Sequence, residues 1–316
     1  MTRNTPVFPP SPGMIYDIGM THRVLFDRAL LRRRLARAAD LGPADFLLQR
    51  VTADLADRLL AVRRTFSQAL DLGTPTDALA QTLHTMPMVT RLFRAAALVE
   101  TSDRRHLNLV ADEEALPFAD ESLDLVVSAL ALQHVNDLPG TFAQVRRALR
   151  PDGLFLAALI GGASLLELRE AFAVAESEVR GGLSPHVAPF TDVRDLGHLL
   201  QRAGLAMPVT DIDRVVVRYP DPFALFMDLR RMGATNILAE RHRLPLRRAV
   251  LMRVAEVYAE RFADPDGRVR ATFEILWLSG WAPHDDQQKP ARPGSARMRL
   301  ADALGTTERP TGETEG

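Results

Sequence analysis

From Phe26 to about Phe66 apolar residues recur every three or four positions: Leu30, Leu31 and Leu35 first, then, past Gly42-Pro43, Phe46, Leu47, Val51, Leu55, Leu59 and Val62. That spacing predicts two amphipathic helices with a break where glycine and proline meet. Short continuous apolar runs follow, at 69–72, 96–100, 107–111, 123–128 and 154–160, separated by helical stretches. Runs without alternation mark strands buried on both faces, and their interleaving with helices predicts an α/β fold with a doubly wound, mainly parallel sheet. Between the last two runs a helix carrying Phe142, Val145 and Leu149 should stop at Pro151-Asp-Gly153, whose turn residues cannot continue it.

Beyond Gly161-Gly162 the texture changes. Ser164-Leu-Leu-Glu167 has the spacing of a capping box, opening a helix with Leu168, Phe172 and Ala175 on one stripe. A further helix runs from Thr191 to Gly204. The segment 209–219 alternates around Ile212, Val215 and Val217, and 271–281 reads as another strand, so the sheet should end in an antiparallel edge. Between these strands 222–262 is helical and reads as a cap. The expected organisation is a flexible leader (1–20), N-terminal helices (21–66), a nucleotide-binding type of core (67–162), the rest of the sheet with its cap (163–290) and a largely disordered tail (291–316), almost without apolar residues from Gly305 on.

Charge and cysteine content narrow the function classes. With 39 Lys+Arg against 40 Asp+Glu the net charge is -1, so the overall field does not draw the chain to nucleic acid or to an anionic membrane. Arg32, Arg33, Arg34 and Arg37 crowd the first helix; they read as a solvated face, with an acidic partner as the alternative. The chain has no cysteine, which removes disulfides, thiolate metal ligands and a thiol nucleophile together and fits a cytoplasmic location. No apolar run reaches the roughly 18 residues of a transmembrane segment, and the first residues are proline-rich rather than basic and then apolar.

Ligands of a doubly wound sheet sit at the carboxyl ends of the central strands, so the strand-end residues are the candidates. Asp71 and Gly73 end the first run; Glu100 ends the second, where a carboxylate can accept hydrogen bonds from ribose hydroxyls or simply cap the next helix. Asp112 and Glu113 follow the third, as acceptors for an exocyclic amine or as a solvated turn. Ser128 ends the fourth, before a stretch that contains His134, an imidazole able to act as acid, base or structural group. His186, in Ser184-Pro-His186, is the other candidate acid/base. His284-Asp-Asp286 has the His-x-Asp spacing of a non-haem iron triad, a string that also arises by chance in loops, and no metal is expected. The turn after the first strand is Gly73-Thr-Pro-Thr-Asp77, where a Gly-x-Gly-x-Gly loop would offer bare backbone. Proline has no N–H and aspartate adds a negative charge.

Several strings together resemble the class I S-adenosyl-L-methionine (SAM)-dependent methyltransferases, and most closely their complex I assembly factor five, or arginine-hydroxylase, branch and its bacterial relatives. They are Phe26-Asp-Arg28, Ala69-Leu-Asp-Leu-Gly73, Ala111-Asp-Glu-Glu-Ala-Leu-Pro-Phe118, Asp124-Leu-Val-Val-Ser128, Val135-Asn-Asp-Leu-Pro139, Arg150-Pro-Asp-Gly153, Ser184-Pro-His186, Asp195-Leu-Gly-His-Leu-Leu200 and Gly294-Ser-Ala296. The resemblance implies a seven-stranded Rossmann-like sheet binding SAM, with Asp71 and Gly73 under its methionine part, Glu100 at the ribose and Asp112 beside the adenine. It further implies a protein or carrier-bound substrate and a role in assembling the respiratory NADH:quinone oxidoreductase, with a subunit of that enzyme as partner. The outcomes it leaves open are methylation, arginine hydroxylation, or a non-catalytic assembly factor with a degenerate cofactor site.

Overall fold

The computed structural model describes residues 24–98 and 107–287, with 302, 305 and 306 in the C-terminal region. The expected leader and Glu100 lie outside the described residues, as do Gly294-Ser-Ala296 and nearly all of the expected tail. Two helices, α1 (Arg28–Asp40) and α2 (Phe46–Leu60), precede β1 (Phe66–Leu72). Then come α3 (Ala78–Thr85), β2 (Val89–Ala96), β3 (Leu107–Val110), β4 (Leu123–Ala129), α4 (Leu138–Ala148) and β5 (Leu149–Ile160). The second half adds α5 (Leu166–Arg180), α6 (Val193–Arg202), β6 (Ala206–Tyr219), α7 (Pro222–Arg231), α8 (Arg248–Phe262) and β7 (Val269–Trp281).

The seven strands form one sheet in the order β3-β2-β1-β4-β5-β7-β6. The first five are parallel, and β7 lies antiparallel between β5 and β6. Alternation along the strands divides the core. Leu154, Leu156 and Ala158 of β5 face one cluster with α2, α3, α5 and α8, while Phe155, Ala157 and Leu159 face the other with α4 and α6. Burial on both faces explains why β1, β4 and β5 read as unbroken apolar runs.

The chain departs from the sequence pattern at three places. The second strand runs Val89–Ala96 rather than 96–100, because Arg94 interrupts the apolar pattern yet points into the core at 2% exposure. The expected capping box does not form. The Ser164 hydroxyl accepts from Glu274 N (2.8 Å) and donates to Glu274 O (3.2 Å), Glu167 accepts from Thr272 N (3.2 Å), and Leu165 takes the N-cap position with φ +54°. Both polar groups tie the helix to β7 instead of closing its first turn. The helix before Pro151-Asp-Gly153 has already ended at Ala148, and these residues lie within β5, where Asp152 has φ +64° and the pairing with β4 shifts register.

The N-terminal segment roofs the sheet. Phe26 bridges to Leu238, Asp27 N donates to Ile237 O (2.8 Å), and Phe26, Leu31, Ile237 and Leu238 pack together. The expected cap is thus two helices, α7 and α8, joined by a segment that meets α1.

Candidate functional site

The strand order reverses between β1 and β4, and a crevice opens there beyond their carboxyl ends. Gly73 makes the turn possible: its φ of +74° lies in the left-handed region, and its N–H donates to Ala95 O (2.7 Å). A cavity of about 820 Å³ begins at this turn, with Gly73, Pro75, Ala97, Glu113, Leu130 and His134 among its walls. It continues under the roof to Phe172, His186, Phe226 and Ile237.

Beneath the turn lies an ion pair that the strand pattern did not reveal. Asp71 is fully buried; among the described residues neither carboxylate oxygen has a hydrogen bond of normal geometry, and the nearest cation is Arg94 Nε at 3.7 Å. Burial pushes its pKa up to about 7, against the opposing pull of Thr74 and Arg94. Arg94 also donates to Thr74 O (3.2 Å), and Thr74 Oγ1 accepts from Ala129 N (3.2 Å), so the loop is fastened to β2 and β4. The only sequence signal for Arg94 was a charged residue inside a strand. Asp77 accepts from Gln81 Nε2 (2.7 Å) and is absent from the cavity wall, so its charge turns along α3 and away from the crevice.

A second charge cluster closes the crevice on the β3 side. Arg28, from the start of α1, pairs with Asp112 (2.9 Å) and with Glu113, and donates to His134 O (3.2 Å). Arg32 adds a second contact to Asp112 (2.6 Å). Burial opposes ionisation of Asp112, yet the Glu114 N–H and Arg28 hold it below the usual carboxylate range. Glu113 Oε1 stands 2.5 Å from where a Cβ on residue 73 would lie, directly over the turn. Asn136 locks α1 in place: its Oδ1 accepts from Leu25 N (2.9 Å) and Phe26 N (2.8 Å), and its Nδ2 donates to Phe26 O (3.2 Å). The strings Phe26-Asp-Arg28 and Val135-Asn-Asp-Leu-Pro139 are therefore two halves of one contact.

His134 packs edge-on against Phe26 (5.8 Å between ring centres), and burial, with the Arg28 charge, lowers its pKa to about 4. The ring is neutral at physiological pH. His186 stacks on Phe172 (3.9 Å), and its Nε2 lies 3.0 Å from Glu176 Oε1 and 3.1 Å from Ser184 Oγ. Glu176, 1% exposed, also accepts from Ser184 N (2.6 Å) and Arg180 (3.0 Å). Glu176 carries no signal of this role in the sequence, because it sits eight residues before Ser184, within α5.

The structure thus gathers Gly73, Glu113, His134 and His186 around one cavity, with Asp112 behind Glu113. It does not bring Asp71 or Ser128 there: Asp71 is sealed in, and the Ser128 hydroxyl donates to Leu72 O (2.7 Å) within the sheet. Glu100 lies outside the described residues; β2 ends at Ala96, and Ala97 and Leu98 follow, so among the described residues no acid directly ends that strand. His284 and Asp286 pair with each other in an exposed turn (3.6 Å), and no third His, Cys, Asp or Glu joins them among the described residues.

A parallel sheet with an antiparallel edge and a crevice at the glycine turn defines a methyltransferase type of fold. The family profile of the methyltransferase domain matches residues 70–157. A candidate methyltransferase of Bacillus halodurans has the same fold over 73% of the chain and all of its own length, with a TM-score of 0.51 at 16% identity. The mitochondrial arginine-hydroxylase NDUFAF5 of Danio rerio is 42% identical over 88% of this chain and 89% of its own. The human protein is 40% identical over 88% and 83%, and the malonyl-[acyl-carrier protein] O-methyltransferase of Laribacter hongkongensis 34% identical over 84% and 92%. The chain belongs to the class I SAM-dependent methyltransferase superfamily, in the branch that holds arginine-hydroxylase NDUFAF5.

The cofactor of that superfamily is SAM, and the crevice fits it in its floor and its volume. The positive-φ turn at Gly73 is present, the space is of ligand size, and the Asp77 carboxylate points elsewhere. Two features bear on how a ligand would sit there: Pro75 offers no N–H, and Glu113 stands over the turn on its Arg28 tether.

Proposed function

We propose that this chain is a SAM-dependent enzyme that modifies a group on a protein or a carrier-bound substrate, in the service of assembling the respiratory NADH:quinone oxidoreductase, a subunit of which is its partner. The observation that carries this is the single cavity running from the Gly73 turn to His186 beneath the roof, space for a cofactor and an acceptor side by side. In this reading Gly73, Asp112 and Glu113 hold the cofactor with Glu100 at its ribose, while Asp71 and Ser128 support the floor. SAM supplies an electrophilic methyl group. The protein then has chiefly to align the acceptor and exclude water, and a base matters only where the acceptor must lose a proton. In this reading His186, oriented by Glu176, takes that proton, while the neutral His134 lines the same cavity as Glu113. The location in this reading is cytoplasmic, without nucleic acid as a partner. Among the described residues no helix is long and apolar enough to cross a membrane.

Calorimetry with S-adenosylhomocysteine tests the reading: saturable binding supports it, and absence of heat at millimolar ligand removes it. Mass spectrometry of the partner subunit then separates the chemistries, since methylation adds a CH2 unit and hydroxylation a single oxygen. The relatives named arginine-hydroxylase favour the latter. A non-catalytic assembly factor is the second reading, favoured by Pro75 and by the Glu113 carboxylate over Gly73. Partner co-purification that survives Gly73→Asp would support it.

A further inference from the structure

The cavity extends well beyond the glycine turn, and this extension is apolar. Leu31, Leu48, Leu168, Phe226, Ile237 and Phe273 line it, contributed by α1, α2, α5, α7, the segment after α7, and β7. Arg34 of α1 and Arg230 of α7 border the same space, and neither guanidinium forms a hydrogen bond or ion pair with any other described residue. Arg34 Nε is buried without an acceptor among the described residues.

The neighbouring charges do not compensate these two arginines. Asp45 in the cavity wall accepts from Gln49 (2.7 Å), Asp27 is held by Arg241 (3.2 Å), Asp228 lies by Arg231 (3.8 Å), and Glu113 is tethered to Arg28. Arg33, Arg37, Arg230 and Arg241 act on Arg34 from around it, and burial together with these cations lowers its pKa. A guanidinium with unused donors at the edge of an apolar space is complementary to a carboxylate or phosphate whose remaining atoms are hydrocarbon. The first helix is therefore more than a solvated basic face.

We propose that the cavity binds an anionic amphiphile, its apolar chain between α1, α2, α5 and α7 and its acidic head on Arg34 and Arg230. This deepens the transfer reading above by naming the substrate class of the same cavity, and it rests on that reading only for the chemistry, not for the binding. The apolar walls set chain length and the arginines set head charge, so the two features are separable by experiment.

Calorimetry of the full chain with decanoate, hexanoate and 1-decanol reads both. Decanoate is expected to bind saturably below its micelle concentration, and hexanoate about two-hundredfold more weakly, the factor carried by four buried methylenes. The double variant Arg34→Ala/Arg230→Ala is expected to weaken decanoate by about tenfold or more while leaving 1-decanol unchanged. Both positions are at least partly exposed, so the variant folds. Absence of decanoate binding, equal affinity of the wild type for decanoate and 1-decanol, or unchanged decanoate affinity in the double variant would each overturn the proposal. S-adenosylhomocysteine titrated separately keeps the two readings distinct. Decanoate binding without nucleoside binding supports the amphiphile site and ends the transfer reading, whereas nucleoside binding without decanoate does the reverse.

Discussion

Asp71 and His134 carry opposite consequences for stability against pH. Asp71 keeps its proton up to about pH 7 in the folded chain against 3.8 as its ordinary value. Between those values the native state binds more protons than the unfolded one, so this group makes stability fall as pH rises. His134 titrates near 4 instead of 6.5, so the native state binds fewer protons there, and its contribution is lost as pH falls from 6.5 towards 4. The two slopes offset each other. His134→Phe is therefore expected to tilt the profile, relative to wild type, towards lower stability at higher pH between about 4 and 6.5, which denaturant unfolding across that range would measure. Arg94→Met removes the nearest cation from a buried carboxylate, and breaking such a pair costs about 3–5 kcal/mol. The loss should be near this size at pH 8 and clearly smaller at pH 5, where Asp71 is protonated. An equal loss at both pH values would mean that Arg94 contributes by packing alone. Asp71 was legible as a strand-end acid, but its burial was not, because the covering charge comes from a neighbouring strand.

At the scale of elements, strand pattern and helix pattern were readable wherever burial is uniform. β1, β4 and β5 fall where continuous apolar runs placed them, whereas β2 shifted because one buried arginine hid half of it. Ser164 and Glu167 show the same limit. Their spacing is correct for a cap, but β7 arrives from about a hundred residues away and offers the better partners. Local hydrogen-bonding capacity is visible in sequence, and competition for it is not. Asn136 fixes the entry to α1 through three hydrogen bonds, so Asn136→Ala should destabilise the chain by about 2 kcal/mol and release the amides of Leu25 and Phe26 to faster hydrogen exchange. Protection at those amides as in wild type would show that the contacts of Phe26 with Leu238 suffice.

For the molecule as a whole, the glycine turn, the Arg28 cluster and the α7–α8 cap meet only when the chain closes on itself. The cofactor reading predicts that S-adenosylhomocysteine at about a hundred times its dissociation constant stabilises the fold by about 2.7 kcal/mol, seen as a rise in melting temperature. Gly73→Ala should abolish that rise and destabilise the apo protein by about 1–3 kcal/mol, since φ is +74° there and Glu113 occupies the space of the new Cβ. A full ligand-induced shift in that variant would place the binding site elsewhere.

The sequence by itself determined the layered α/β architecture, the antiparallel end of the sheet and the position of the Gly73 turn, because these depend on the burial period and the backbone freedom of single residues. It also carried the family, through strings scattered along nearly the whole chain. Only the tertiary structure decided that Arg28 grips Asp112 and Glu113, that Asp77 faces away, and that Glu176 orients His186. Each of these is a contact between side chains distant in sequence, and its energy depends on which groups are left in water and which are not.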